Sequence, residues 1–188
     1  MSHPLRVFPL GTSAHIYQRA LNGGRVFEEA PDFQAFLDLV HTHTVATGVQ
    51  VHGFGVLHTH YHLLATPSSG EAIPRAMQRI DAGYSRYFNR KHARHGTIWG
   101  GRYKAKVIDD ERYWLTALRY IEQNPVAAGI VRRPAEYAWT SYRVHALGEA
   151  SWLSSHIVYD TLGATPEERQ EKYRLASAAG VPLDFELP

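Results

Sequence analysis

The sequence predicts an α+β fold built on a largely antiparallel sheet. Short apolar runs with turn signals between them mark strands, longer segments with apolar residues every three to four positions mark helices, and one run is long enough to fold back as a hairpin. The resulting order is strand, helix, hairpin, helix, strand, helix, which belongs to α+β architecture rather than to a strictly alternating α/β one. With 188 residues, 44% of them hydrophobic and 20% charged, the chain has the size and composition of one globular domain.

"AHIYQRAL" (residues 14–21) reads as the first strand, and "NGG" (22–24) is turn chemistry. Pro31 opens a helix in which Phe33, Phe36, Leu37 and Val40 recur at helical spacing, ending near Gly48. The apolar run from Val49 to Pro67 is too long for one strand and should turn near His58 and Thr59, giving arms of 49–57 and 60–66. After "PSSGEA", Ile73, Met77, Ile80, Tyr84, Tyr87 and Phe88 mark an amphipathic helix. "GTIWGGRYKAKVID" is a glycine-rich turn and a strand. "DDERYWLTALRYIEQNPVAAG" has acids suited to a helix N-terminus and should stop near Pro125, because the residue before proline disfavours the helical region. Beyond residue 147 an acidic extension, 148–188, is expected to hold a helix capped by Thr165 with Pro166 at its first position.

There is no cysteine, so thiolate zinc sites, disulfides and cysteine nucleophiles are excluded. No run approaches the roughly 18 apolar residues of a membrane span, and no apolar leader opens the chain, so the expectation is a cytoplasmic protein without membrane contact. Net charge is only +2, but it is unevenly spread. Between Arg75 and Lys106 the bases Arg75, Arg79, Arg86, Arg90, Lys91, Arg94, Arg102, Lys104 and Lys106 face a single acid, Asp81, whereas acids outnumber bases after Gly148. Such a basic centre suits a phosphate-rich partner or a solvated helical face, and charge alone leaves both open.

"HTHYHLLATP" places histidines at 58, 60 and 62. On a strand, the period of two puts His60 and His62 on one face, about 7 Å apart along the strand, with Tyr61 and Leu63 on the other. Two imidazoles so placed can converge on one cation, but a paired core or surface role is equally compatible with the spacing. In "RYIEQNPV", Tyr120 and Asn124 are spaced i, i+4 and present a phenol and an amide on the same side of a helix, opposite the stripe of Trp114, Leu115, Leu118 and Ile121. A core-edge tyrosine and a capping asparagine are the plainer roles for that pair.

Taken together, "HYHLLATP", "YSRYFNRKH", "GRYKAKVI" and "YIEQNPVAAGIVRRPAEYAWTSYR" resemble the single-tyrosine HUH transposases, specifically the REP-associated tyrosine transposases, in one order across residues 12–147. The resemblance implies a transposase domain over 1–147 with a ferredoxin-like core, a central antiparallel sheet packed by helices. It implies a divalent ion, Mg²⁺ or Mn²⁺, at His60 and His62 with Asn124 as amide ligand, and Tyr120 as nucleophile. A phenol ionises near pH 10 in water, so a polarised phosphate is needed to make it an effective nucleophile. The implied reaction cuts single-stranded DNA carrying palindromic hairpins, leaving a 5'-phosphotyrosine and a free 3'-hydroxyl.

In this reading Arg86, Arg90, Arg102 and Lys104 contact DNA phosphates, and Tyr87, Phe88 and Tyr103 are available to stack on bases. The acidic extension is expected to cover the basic groove when DNA is absent. Monomer and homodimer are both open. The chain departs from the family pattern at His58 and Thr59, where proline and asparagine are frequent, at Tyr61, usually a bulky aliphatic, and at Gly100, often a glutamine. A non-cleaving nucleic-acid-binding protein is the alternative, and a histidine metal sensor using His58, His60 and His62 a third reading.

Overall fold

The computed structural model describes residues 7–179. Four strands, β1 (Ser13–Arg19), β2 (Val49–Leu57), β3 (His60–Pro67) and β4 (Lys104–Ile108), form one antiparallel sheet in the order β2-β3-β1-β4. This is the ferredoxin-like arrangement, in which the hairpin β2-β3 and the pair β1-β4 meet along β1 and β3. The hairpin turns at His58 and Thr59, as the length of the apolar run requires.

Helices α1 (Ala30–Thr47) and α2 (Ala72–Lys91) lie together on one face of the sheet. Phe33, Phe36 and Val40 of α1 and Ile73, Met77, Ile80, Tyr84 and Phe88 of α2 bury against Ile16, Val56, Tyr61 and Leu63. Gly48 ends α1 in the left-handed conformation, φ 71°, where a side chain would be strained. Asp32 ties the two helices together: its carboxylate accepts from the backbone N–H of Glu28 and Glu29, from the Tyr87 hydroxyl and from Lys91 Nζ at 2.7 Å. Lys91 of the basic run is thus engaged within the fold.

Helix α3 (Glu111–Ala127) covers the opposite face through Trp114, Ala117, Leu118 and Ile121. It runs past Pro125 instead of stopping before it. Pro125 falls in the last turn, where only one helical N–H is lost, and Ala128 N–H and Ile130 N–H close the end onto Asn124 O and Pro125 O. The first strand likewise ends at Arg19, earlier than the apolar run alone indicates.

Two glycines of β2 set the depth of α3. A register shift between Val51 and Gly53 turns Gly53 and Gly55 toward α3. A Cβ at Gly53 would lie 2.4 Å from Leu118 Cδ1, and one at Gly55 only 2.8 Å from the Ile121 carbonyl oxygen. With no side chain on the strand at either position, the β2 backbone meets the Leu118 side chain at Gly53 and the α3 backbone at Gly55.

The remaining chain forms α4 (Tyr142–Leu147), the short α5 (Ile157–Asp160) and α6 (Pro166–Ala178), and packs on the α3 side. Thr165 caps α6 by accepting from Glu168 N–H, with Pro166 following it. Before α4, Val56 N–H donates to Trp139 O and Ser141 N–H to Phe54 O, while further on Ser154 N–H donates to Val51 O. The outer edge of β2 is therefore occupied by the chain's own backbone.

Candidate active site

Alternation along β1 and β3 builds the site. Tyr17 pairs with His62 and Arg19 with His60, so Ser13, His15, Tyr17 and Arg19 share the α3 face with His60, His62 and Leu64. Tyr61 and Leu63 point into the α1/α2 core, and the Tyr61 hydroxyl donates to Asp81 at 2.7 Å. Burial pushes the Asp81 carboxyl up to about 7.

The His60 and His62 rings stand perpendicular, with centroids 5.1 Å apart. His60 Nε2 lies 3.1 Å from Asn124 Oδ1. An amide oxygen only accepts, so without a cation this nitrogen carries the proton; Nδ1 lies 2.9 Å from the Thr59 hydroxyl, which can instead accept from a protonated Nδ1 and so free the Nε2 lone pair. His62 Nδ1 is 2.8 Å from His15 Nε2, while His62 Nε2 is buried without a hydrogen-bond partner. Burial holds all three imidazoles below their ordinary range: His15 down to about 3, His62 well below its usual value, and His60 lowered, with the Asn124 bond opposing. They are neutral near pH 7, the form that ligates metals.

Because α3 is seated on Gly53 and Gly55, the residues on its β1-facing side reach the same place. Tyr120 stands edge-on to His62, ring centroids 5.8 Å apart and planes at 88°, and edge-on to His15 at 6.4 Å. A cleft of about 300 Å³ opens here, lined by Tyr120, His62, Tyr17 and Gln18, by Arg19, Arg102 and Lys104, and by Gly100 and Gly101. Gln18 Nε2 donates to Gly101 O at 2.7 Å and anchors the glycine turn beside the strand.

The donor set fits a divalent cation. Among the described residues no group of three or more His, Cys, Asp or Glu side chains is placed for a metal. The donors available are therefore two imidazoles and an amide, His60, His62 and Asn124. The orphaned, buried Nε2 of His62 is the atom a cation would satisfy.

The structure thus gathers Tyr120, His60, His62 and Asn124, with Arg102 and Lys104 beside them. Arg86 and Arg90 are elsewhere, in a separate recess with Arg94 and His95 at the end of α2. His58 turns away, its Nδ1 donating to Phe27 O at 2.6 Å. The aromatic residues expected to stack on bases do not face the cleft: Phe88 and Tyr103 are in the core, and Tyr87 packs against it while bonding Asp32. No residue beyond Tyr120 lines the cleft, so among the described residues the acidic extension does not cover it.

His15, Tyr17 and Arg19 escaped the sequence reading. Their signal was present in "SAHIYQR", where every second residue is polar or aromatic, but its meaning depends on how that strand pairs with β3.

The chain whose ferredoxin-like sheet brings a tyrosine and two histidines to this basic cleft falls among the transposases, a class of DNA-processing proteins, by its family match. More narrowly, the family model described as "Transposase IS200 like" matches residues 12–124, and the chain belongs to that family. The fold is similar to a solved REP-associated tyrosine transposase bound to a REP hairpin, with a TM-score of 0.65 and 16% identity over 83% of this chain and 95% of that one. A putative transposase from Deinococcus radiodurans aligns at TM-score 0.44 and 14% identity over 60% of this chain and 88% of that one. No curated protein matches the sequence.

Proposed function

We propose that this chain is a metal-dependent endonuclease and strand transferase for single-stranded DNA, acting on short palindromic repeats folded as hairpins. The observation that carries this reading is Tyr120 standing edge-on to His62 in a cleft ringed by Arg19, Arg102 and Lys104.

In this mechanism Tyr120 Oη attacks the scissile phosphorus in line. The O–P bond forms, the bond to the 3'-oxygen breaks, and that oxygen takes up a proton as the phenol releases one. The result is a 5'-phosphotyrosine and a free 3'-hydroxyl, and attack by a second 3'-hydroxyl on the ester completes strand transfer. Bond energy stays in the phosphodiester, so no nucleotide hydrolysis is needed.

Arg19, Arg102 and Lys104 offset the charge of the phosphates next to the cut, and Arg86 and Arg90 serve a second phosphate contact on the far side of the glycine turn. His60, His62 and Asn124 would hold Mg²⁺ or Mn²⁺, the imidazoles favouring Mn²⁺ and availability Mg²⁺. When bound, the ion supplies Lewis-acid polarisation of the phosphate. One chain contributes every one of these groups, so this reading is compatible with a monomer as well as a homodimer, and it takes the reaction to be cytoplasmic. The hairpin preference is supported by the DNA held in the similar solved transposase.

The test is incubation with single-stranded DNA carrying palindromes from around the gene, with Mg²⁺ or Mn²⁺, on a denaturing gel. A metal-dependent protein–DNA adduct is expected, absent in Tyr120→Phe. Binding without an adduct under every metal condition would instead make the protein a non-cleaving DNA binder.

A further inference from the structure

We propose that His15 is a positioning residue for His62: it accepts the His62 Nδ1 proton at its own Nε2, leaving the His62 Nε2 lone pair turned to the metal position. This rests on the metal-dependent reading above and adds a residue to it.

The geometry is specific. His15 and His62 lie on adjacent strands with ring planes 13° apart and centroids at 5.0 Å, joined by one bond of 2.8 Å between His15 Nε2 and His62 Nδ1. Both side chains are almost wholly enclosed. A neutral imidazole carries one proton. For His62 to offer a lone pair at Nε2, that proton must sit on Nδ1, where the hydrogen-bonding atom beside it is His15 Nε2. His15 must then be protonated at Nδ1, and that atom is buried without a partner. An imidazole buried with one nitrogen unsatisfied is destabilising, and an apolar side chain would fill the same space without that penalty. The histidine is accounted for by its other nitrogen. Metal-binding histidines ordinarily give their second N–H to an acceptor that sets tautomer and ring orientation, and loss of that acceptor weakens metal affinity about 10–100-fold.

The test is Mn²⁺ calorimetry on the full chain. His15→Leu should bind Mn²⁺ about 10–100-fold more weakly, and His15→Gln, whose amide oxygen can still accept, should recover most of the affinity. A folded His15→Leu with wild-type affinity, or a glutamine no better than leucine, overturns the assignment. His62→Ala separates the two readings. Loss of Mn²⁺ binding there supports the metal site, whereas unchanged binding removes both the site and the role of His15. Ring-nitrogen NMR of the Zn²⁺-loaded wild type needs no variant and covers the case in which His15→Leu does not fold. His62 protonated at Nδ1 is expected, and an unprotonated or metal-bound Nδ1 would sink the proposal.

Discussion

The two faces of this sheet are built from the same four strands and have opposite chemistry. Toward α1 and α2 the buried groups are almost all apolar, with Phe33, Phe36 and Tyr84 each in ring contact with Phe27. Toward α3 the sheet buries His15, His52, His60, His62 and Ser13, and the helix itself buries Glu122. Alternation permits this division, because each strand sends every second residue to each side. Stability can then be concentrated on the dry face, while the other holds groups whose burial is costly unless they are bonded.

Most polar groups on the α3 face are bonded. Ser154 O accepts from His52 Nδ1, so His52 Nε2 accepts from Thr66 Oγ1, Thr66 from Ser13, and Ser13 from Trp114 Nε1. Glu122 accepts from the Ser141 hydroxyl, His145 Nδ1 and the Tyr173 hydroxyl. The chain from Ser141 to Tyr173 thereby fixes α3 two residues from Tyr120 and two from Asn124.

The largest expected effect lies on the dry face. Phe36→Ala should cost about 3–5 kcal/mol in urea unfolding, and a much smaller loss would show that stability is not concentrated there. Glu122→Ala should cost about 3 kcal/mol, since Ser141, His145 and Tyr173 lose their acceptor together. A near-neutral result would mean the polar network contributes nothing to the fold. Gly55→Ala sharpens the division: it should cost about 1–3 kcal/mol and lower DNA cleavage more than a Phe36 variant of equal stability, because it pushes α3 off the strand. Equal loss of cleavage in both would show that α3 placement is not special.

Counted per histidine and per pH unit, the smallest effect is in acid. Burial holds His52 at about 4 and His15 at about 3, below the 6.5 expected unfolded. Between these values the unfolded chain binds more protons, so stability should be flat above about pH 6.5 and fall by about 1.4 kcal/mol per pH unit per histidine below it. Urea midpoints unchanged from pH 7 to pH 5 would contradict the burial of these imidazoles.

Local periodicity made half of the site legible. His60 and His62 share a face because one strand decides it, and Tyr120 with Asn124 because one helix does. His15 joins them through a contact 47 residues away along the chain, which no local pattern encodes. The basic run looks continuous in sequence, yet α2 and β4 lie in different layers, so Arg86 and Arg90 separate from Arg102 and Lys104. Phe88 lay on the same helical stripe as Ile73, Met77, Ile80 and Tyr84, and that spacing, rather than its aromatic character, decided where it went.

The backbone laid along β2 also limits how copies of this chain can associate. Residues 139–141 and Ser154 occupy that edge, and β4 is the other end of the sheet. Among the described strands a second copy can extend the sheet only through β4. One open edge per molecule allows a closed two-fold pair, whereas a growing filament needs two.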